Sequence, residues 1–326
     1  MSDTPLRIGI IGCGGISAAH IACYQSNLRA NVVAVCDVDQ AKADAAAEKT
    51  GAKAYTNHQQ MLDAEKLDGI SLLTPPAYHE DIAIDTLKAG VHVFSEKPLS
   101  NSLASGQRMA AAAADAGTLL LVAQCHKFHE PVRRTKELID EGKLGEISTF
   151  RNRFGYRFGE PNDWTRLRGG IWLDNGGHSV YLFRFLVGDA HTICGWAPSN
   201  QQEKIDDLCN CNFVLESVGG AGGVIELNGA AANSLGVIEV YGTEGRSVVS
   251  YGGPSVFTPA KGEPIVLDDP SLPGAHRFDR EIEHFIRCVL GEEQPTIGAD
   301  EGIKDLQILE AGFNAIRSGR KEPVGQ

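Results

Sequence analysis

Two groups of residues carry the types and spacing that proton chemistry needs. The first is Glu96-Lys97-Pro98. The preceding run, Val91-His92-Val93-Phe94-Ser95, is rich in β-branched and aromatic residues and follows Gly90, so it reads as a strand. Pro98 has no N–H for a ladder and fixes its own φ, so the strand is expected to stop there. A lysine at that stop points from the carboxyl edge of a sheet, where open α/β sheets bind ligands. The plainer reading is a solvated strand end. The second group is Asp174 and His178, within Gly169-Gly170-Ile171-Trp172-Leu173-Asp174-Asn175-Gly176-Gly177-His178. Their spacing puts them on one face of a helix. Gly176 and Gly177 each cost about 1 kcal/mol of helix propensity, which close approach of a ligand or another backbone would explain. The plainer reading is a helix start capped by Asp174, with His178 packed in a core.

The elements that must position these groups alternate from the start of the chain. Arg7–Ile11, Val32–Cys36, Gly69–Leu73, Val91–Ser95 and Leu119–Ala123 are apolar runs without polar alternation, as expected for strands buried on both faces. Helical patterns lie between them at Ile16–Leu28, Asp39–Thr50, His79–Ala89 and Leu103–Ala116, the last two ending near Gly90 and Gly117. Repeated β-α units of this kind build a doubly wound parallel sheet.

The first turn, Gly12-Cys13-Gly14-Gly15-Ile16-Ser17, follows a strand and opens a helix. Gly12 permits the tight turn, Gly14 lets a pyrophosphate approach the backbone, and the helix N–H groups bind that anion. Ser17 stands where a third glycine is usual, and is still small enough for helix–strand packing. The second strand ends at Asp37, roughly two dozen residues past the glycines, where an acid accepts hydrogen bonds from a ribose 2′-hydroxyl. A carboxylate there repels a 2′-phosphate, and the nearest basic residue is Lys42, so NAD is expected rather than NADP. Asp37 and Asp39 are also candidate helix caps; Asp39 fits that role better.

A chain of 326 residues is long enough for two domains. With 42% hydrophobic and 22% charged residues it is composed like a soluble globular protein. The formal charge of −12, without a basic run, argues against a nucleic-acid or anionic-membrane surface. No signal sequence or bilayer-spanning apolar run is visible, so a cytoplasmic protein is expected. Cys209-x-Cys211 has no matching Cys/His pair, so no zinc site is expected and the eight cysteines are read as structural or incidental thiols.

Thr74-Pro75-Pro76-Ala77-Tyr78-His79 after one strand, and Ala89-Gly90-Val91-His92-Val93-Phe94-Ser95-Glu96-Lys97-Pro98 after the next helix, complete a recognisable succession. It resembles the glucose–fructose oxidoreductase/inositol dehydrogenase (Gfo/Idh/MocA) family over essentially the whole chain, and the Asp174–His178 segment resembles that family's second motif. The resemblance implies an NAD(P)-binding Rossmann domain at residues 1–124. It also implies a substrate-binding and oligomerisation α/β domain at 125–326, built on a large, mainly antiparallel open sheet. Strand patterns at Ile147–Gly155, Ile193–Trp196, Asp207–Leu215, Gly223–Asn228 and Val237–Tyr241 support the second domain, and Ile282–Leu290 and Asp300–Ser318 read as amphipathic helices. A homodimer or homotetramer through the open sheet is implied, with a switch between domains near Gln124–His129.

By the same resemblance, Gly12, Gly14, Gly15, Ile16, Asp37, Thr74, Pro75, His79, Glu96, Lys97 and Gln124 are the cofactor-binding set, and Lys97, Asp174 and His178 the catalytic set. His178, whose ordinary pKa is about 6.5, is read as general base, Asp174 as its orienting partner, and Lys97 as the group that stabilises alkoxide charge and relays the proton. Substrate contacts are expected from these three with Asn175, His126, Tyr156, Trp164, Arg166 and Arg168; a Trp beside arginines suits a sugar ring carrying hydroxyls or a carboxylate. Arg168 replaces a glycine and Tyr181 an Asp of the family motif, so the substrate pocket is expected to differ. The expected activity is hydride transfer between a nicotinamide cofactor and a secondary alcohol or ketone of a sugar, cyclitol or sugar acid. The alternatives are an NAD-dependent glycosidase of the same family and a non-catalytic ligand-sensing regulator on this fold.

Overall fold

The apolar runs of the first half form parallel strands: β1 (Leu6–Ile11), β2 (Ala30–Cys36), β3 (Lys53–Tyr55), β4 (Gly69–Leu72), β5 (His92–Glu96) and β6 (Leu120–Ala123). They are seen in a computed structural model that describes residues 4–157, 169–198, 209–272 and 276–325. Their order in the sheet is β3-β2-β1-β4-β5-β6, and every pairing is parallel. The order reverses between β1 and β4, the switch point at which doubly wound sheets take their ligands. Helices α1 (Ser17–Ser26), α2 (Gln40–Thr50), α3 (His58–Ala64), α4 (His79–Lys88) and α5 (Leu103–Ala116) connect the strands. The short pair β3 and α3 was not among the sequence expectations; three residues of strand carry too little pattern to show. Burial on both faces is complete for Ile8, Ile10, Val35, Ile70, Leu72 and Val93, matching unalternated strands.

The chain forms two compact units that divide differently from a single cut at residue 124. The first contains the described residues of Met1–Cys125 and of Gly274–Ile303; the second contains those of His126–Pro273 and Lys304–Gln326. The return has a packing cause. Helix α8 (His276–Val289) buries Ile282, Phe285 and Ile286. Phe285 stacks on Phe94 of β5 with centroids 5.1 Å apart and occupies the space a side chain at Gly69 would need. Backbone follows side chain: Val122 N–H donates to Ile297 O at 2.8 Å.

The second unit is built on a nine-stranded sheet in the order β14-β13-β12-β11-β7-β10-β9-β8-β15. Its strands are β7 (Ile147–Arg157), β8 (Ala190–Trp196), β9 (Asn210–Ser217), β10 (Gly222–Asn228), β11 (Ala230–Gly242), β12 (Gly245–Ser250), β13 (Val256–Pro259), β14 (Ile265–Val266) and β15 (Glu322–Pro323). Only β7 and β10 pair in parallel; the other pairs are antiparallel. Among the described residues its helices are α6 (Glu130–Asp140), α7 (Gly170–Leu186) and, from Lys304 onward, α9 (Ala299–Ser318). Helix α7 is buried along nearly its whole length. Its Trp172 stacks on Phe213 of β9 at 3.7 Å, and its Phe183 fills the space beside Gly223 of β10. On the other face of the sheet Trp196 (57%) and Val214 (52%) are exposed.

Candidate active site

In the first unit the tight turn of the glycine loop rests on a backbone contact. Gly12 has φ +97°, and a Cβ there would lie 2.7 Å from the Leu73 carbonyl carbon; the turn after β1 and the strand end after β4 touch directly, which only glycine permits. Cβ atoms at Gly14 and Gly15 would meet nothing within 4 Å. Helix α1 starts behind them at Ile16 with no side-chain cap and no acidic residue in its first turn, so its N-terminal field is available to an anion. Burial, then the Asp37 charge, pushes the Cys13 thiol up to about 12, so this loop carries no thiolate to repel one.

Asp37 is tied into this loop. Its Oδ2 accepts the Cys13 N–H at 2.8 Å and its Oδ1 the Asp39 N–H at 2.9 Å. An ionised carboxylate has about four acceptor positions, so two bonds orient it and leave capacity for a diol. Asp39 caps α2 through the Ala41 N–H at 3.0 Å.

At the end of β4, the Thr74 hydroxyl is buried and has no hydrogen-bond partner among the described residues. Pro75 leads into a short turn at Pro76–Tyr78. The fully buried His79 ring reaches Thr74 O at 2.8 Å and Leu99 O at 3.1 Å. Burial lowers its pKa against the opposing pull of those carbonyls. His79 therefore braces the loops after β4 and β5. At the end of β5 the Lys97–Pro98 bond is cis, and Glu96 Oε2 accepts the Lys97 N–H at 3.0 Å. Gln124 is buried just past β6.

The second unit gathers a different set. Asp174 and His178 lie on α7 and are 5% and 9% exposed. The Tyr156 hydroxyl, on β7, donates to Asp174 Oδ2 at 2.8 Å. The His126 ring meets the His178 ring edge-on, with centroids 4.3 Å apart at 70°. His126 Nδ1 is hydrogen-bonded to the Tyr251 hydroxyl, and Tyr251 stacks on His129 at 4.7 Å. Asn175 is half-buried on α7, and its carbonyl accepts from Ser179 Oγ at 3.3 Å. Trp164, Arg166 and Arg168 lie outside the described residues. Tyr181 is buried and stacks on Phe185 of the same helix.

Gly176 has a cause other than ligand approach: a Cβ there would lie 2.4 Å from the Trp172 ring. That ring is held by Phe213 and by its Nε1–H bond to Leu309 O at 2.9 Å. Three residues that no motif marks lie beside these sets: Tyr251 bonds His126, His20 Nε2 lies 3.4 Å from Glu96 Oε1, and the buried Glu281 feels the Glu96 charge. Each sits in an ordinary strand-end or helical pattern, and none belongs to a local motif.

Comparison with known proteins settles the family. Residues 6–124 match the model described as "Oxidoreductase family, NAD-binding Rossmann fold", and residues 132–248 match the GFO/IDH/MocA C-terminal domain. The chain belongs to the Gfo/Idh/MocA oxidoreductase family. It is 28% identical to a dTDP-3,4-didehydro-2,6-dideoxy-alpha-D-glucose 3-reductase of Saccharopolyspora spinosa, over 97% of this chain and 98% of that protein. It is 27% identical to the myo-inositol 2-dehydrogenase of Thermotoga maritima, over 97% of each. Among solved structures it is similar to the WlbA dehydrogenase of Bordetella pertussis in complex with NADH and UDP-GlcNAcA. There the TM-score is 0.86 and the identity 25%, over 100% of this chain and 99% of that one.

The first unit fits the cofactor that the Gfo/Idh/MocA family implies. The glycine loop has room at Gly14 and Gly15, the α1 N-terminus offers N–H groups, Asp37 has spare acceptor capacity, and the Thr74 hydroxyl is an orphaned buried polar group. Buried polar atoms without partners are rare and call for an explanation; a bound dinucleotide supplies one. NAD, when held there, supplies a carbon that accepts or returns hydride.

Proposed function

We propose that the protein is an NAD-dependent dehydrogenase or reductase acting on a secondary alcohol or ketone of a sugar, cyclitol or sugar acid. The observation that carries this reading is the buried Asp174, bonded by the half-buried Tyr156 and one helical turn from the buried His178, in a chain whose other unit has the dinucleotide loop. A ligand sensor has no use for buried proton-handling groups, which are costly unless they are partnered. Relatives named as acting on a deoxysugar nucleotide and on myo-inositol support the substrate class.

His178 takes the hydroxyl proton as hydride leaves the substrate carbon, and gives it back in reduction. Asp174, oriented by Tyr156, fixes His178 or a neighbouring substrate hydroxyl. Lys97 stabilises the developing alkoxide. His126, Tyr156 and Asn175 contribute substrate contacts, and Trp164, Arg166 and Arg168 are proposed to do so too. Asp37 selects NAD by accepting ribose hydroxyls.

Eight free cysteines suit a reducing, cytoplasmic setting, and no described helix is long and apolar enough to cross a membrane. The exposed Trp196 and Val214 on the sheet suit a homodimer or homotetramer formed through that face.

The test is incubation with NAD and a panel of polyols, sugars, sugar acids and aryl glycosides, following NADH and released aglycone. NADH formed with at least one polyol or sugar is the expected result. Aglycone release without NADH would instead make the protein a glycosidase, and binding without either product would make it a sensor.

A further inference from the structure

Four polar side chains run through the apolar interior of the first unit as a continuous chain. Tyr24, Ser71 and His20 are 1%, 0% and 0% exposed. Tyr24 OH lies 2.9 Å from Ser71 Oγ, Ser71 Oγ 3.3 Å from His20 Nδ1, and His20 Nε2 3.4 Å from Glu96 Oε1. The other Glu96 oxygen accepts the Lys97 N–H. Hydrogen-bond bookkeeping gives the chain a direction. An ionised carboxylate only accepts, so His20 Nε2 carries a hydrogen toward Glu96.

The charges around Glu96 agree with an ionised carboxylate. Burial acts to raise its pKa, but the His20 hydrogen bond, the His20 and Lys97 charges and the Lys97 N–H outweigh it and leave it below the usual carboxylate range. A second carboxyl, Glu281 of α8, is fully buried, with both oxygens lacking hydrogen-bond partners among the described residues. Burial first, then the Glu96 charge, drives it well above the usual range, with Arg277 opposing. His79 on α4 and Cys125 past β6 also sense the Glu96 charge. Of two interacting acids the proton stays on Glu281 and the charge on Glu96, the separation expected when environments push like groups apart.

We propose that His20 is a positioning residue for Lys97: through Glu96, the Tyr24–Ser71–His20 chain fixes the Lys97 backbone and holds one negative charge beside its ammonium. This rests on reading Lys97 as a proton-handling group. On that reading Lys97 contacts the reacting atoms, whereas His20 acts only through Glu96.

The test uses the full-length protein without cofactor, labelled with acetic anhydride across a pH series, with Lys97 acetylation read by peptide mass spectrometry. Removing the charge in Glu96→Gln is expected to move the labelling midpoint to lower pH by roughly half to one unit. His20→Leu should move it part of that way. His20→Gln can still donate to Glu96 and accept from Ser71, and should restore the wild-type midpoint. A folded His20→Leu with the wild-type midpoint overturns the proposal, as does a His20→Gln shifted as far as His20→Leu. Should His20→Leu not fold, Ser71→Ala is read in its place, and an unshifted midpoint there overturns the proposal equally. Lys97→Ala turning over at the wild-type rate would instead sink the catalytic reading of Lys97, an outcome the labelling does not depend on.

Discussion

The Tyr156 hydroxyl donates to Asp174 Oδ2 across 2.8 Å, joining strand β7 to helix α7 at a carboxylate only 5% exposed. Hydrogen bonds to charged groups contribute about 1.5–3 kcal/mol. Tyr156→Phe removes one without changing the shape of the ring. We expect kcat/KM to fall roughly tenfold to a hundredfold, with NADH affinity unchanged. Steady-state kinetics on the best member of the substrate panel, with a fluorescence titration of NADH, checks both halves.

Asp37 orders the glycine loop through Cys13, and in the proposed function its remaining acceptor positions take the ribose diol. Asp37→Ser removes the negative charge together with the two oriented bonds. NADH affinity should drop about tenfold to a hundredfold, and the ratio of NADPH to NADH affinity should rise. Parallel fluorescence titrations of the two cofactors measure it; an unchanged ratio would mean that Asp37 does not select NAD.

Glu281 makes stability depend on pH in a stated direction. Its folded-state pKa is raised, so its stabilising contribution is fully present below the unfolded-state value, about 4.3. That contribution is lost as pH rises toward the folded value, at up to about 1.4 kcal/mol per pH unit. Glu281→Gln mimics the protonated acid and removes the dependence. The variant should match the wild type near pH 4 to 5 and melt at a higher temperature at pH 8, with turnover unaffected. Melting curves at the two pH values decide it; an equal Tm difference at both would contradict the assignment.

Gly176→Ala sets a Cβ against the Trp172 ring, which Phe213 and the Leu309 carbonyl hold in place. Overpacking of this kind costs about 1–3 kcal/mol. The expected result is a lowered Tm and altered tryptophan fluorescence with NADH binding intact, because the strain stays inside the second unit.

The Rossmann half was legible because strands buried on both faces have no competing pattern and glycines mark the turns. Gly12 announced its tight turn by position alone, whereas the bond from the Cys13 N–H to Asp37 was not foreseen. Asp174 and His178 were legible through their helical spacing, but Gly176 was read as room for a ligand or another backbone when it is room for the Trp172 side chain. What stayed hidden depends on contacts distant in sequence. Tyr251 reaches His126 from 125 residues away, and Ser71 meets His20 from 51. The return of α8 to the first unit rests on Phe285 finding Phe94, a pairing that no local periodicity encodes.

The most direct measurement is a double-mutant cycle of Lys97→Ala and His178→Ala, with kcat read on the panel substrate that the wild type turns over fastest. Groups serving one proton transfer are not additive. Each single variant should lose about 10²–10⁴ in kcat, the double should be no worse than about the poorer single, and NADH should bind all three as it binds the wild type. A folded, NADH-binding Lys97→Ala or His178→Ala that turns over at the wild-type rate would contradict the account.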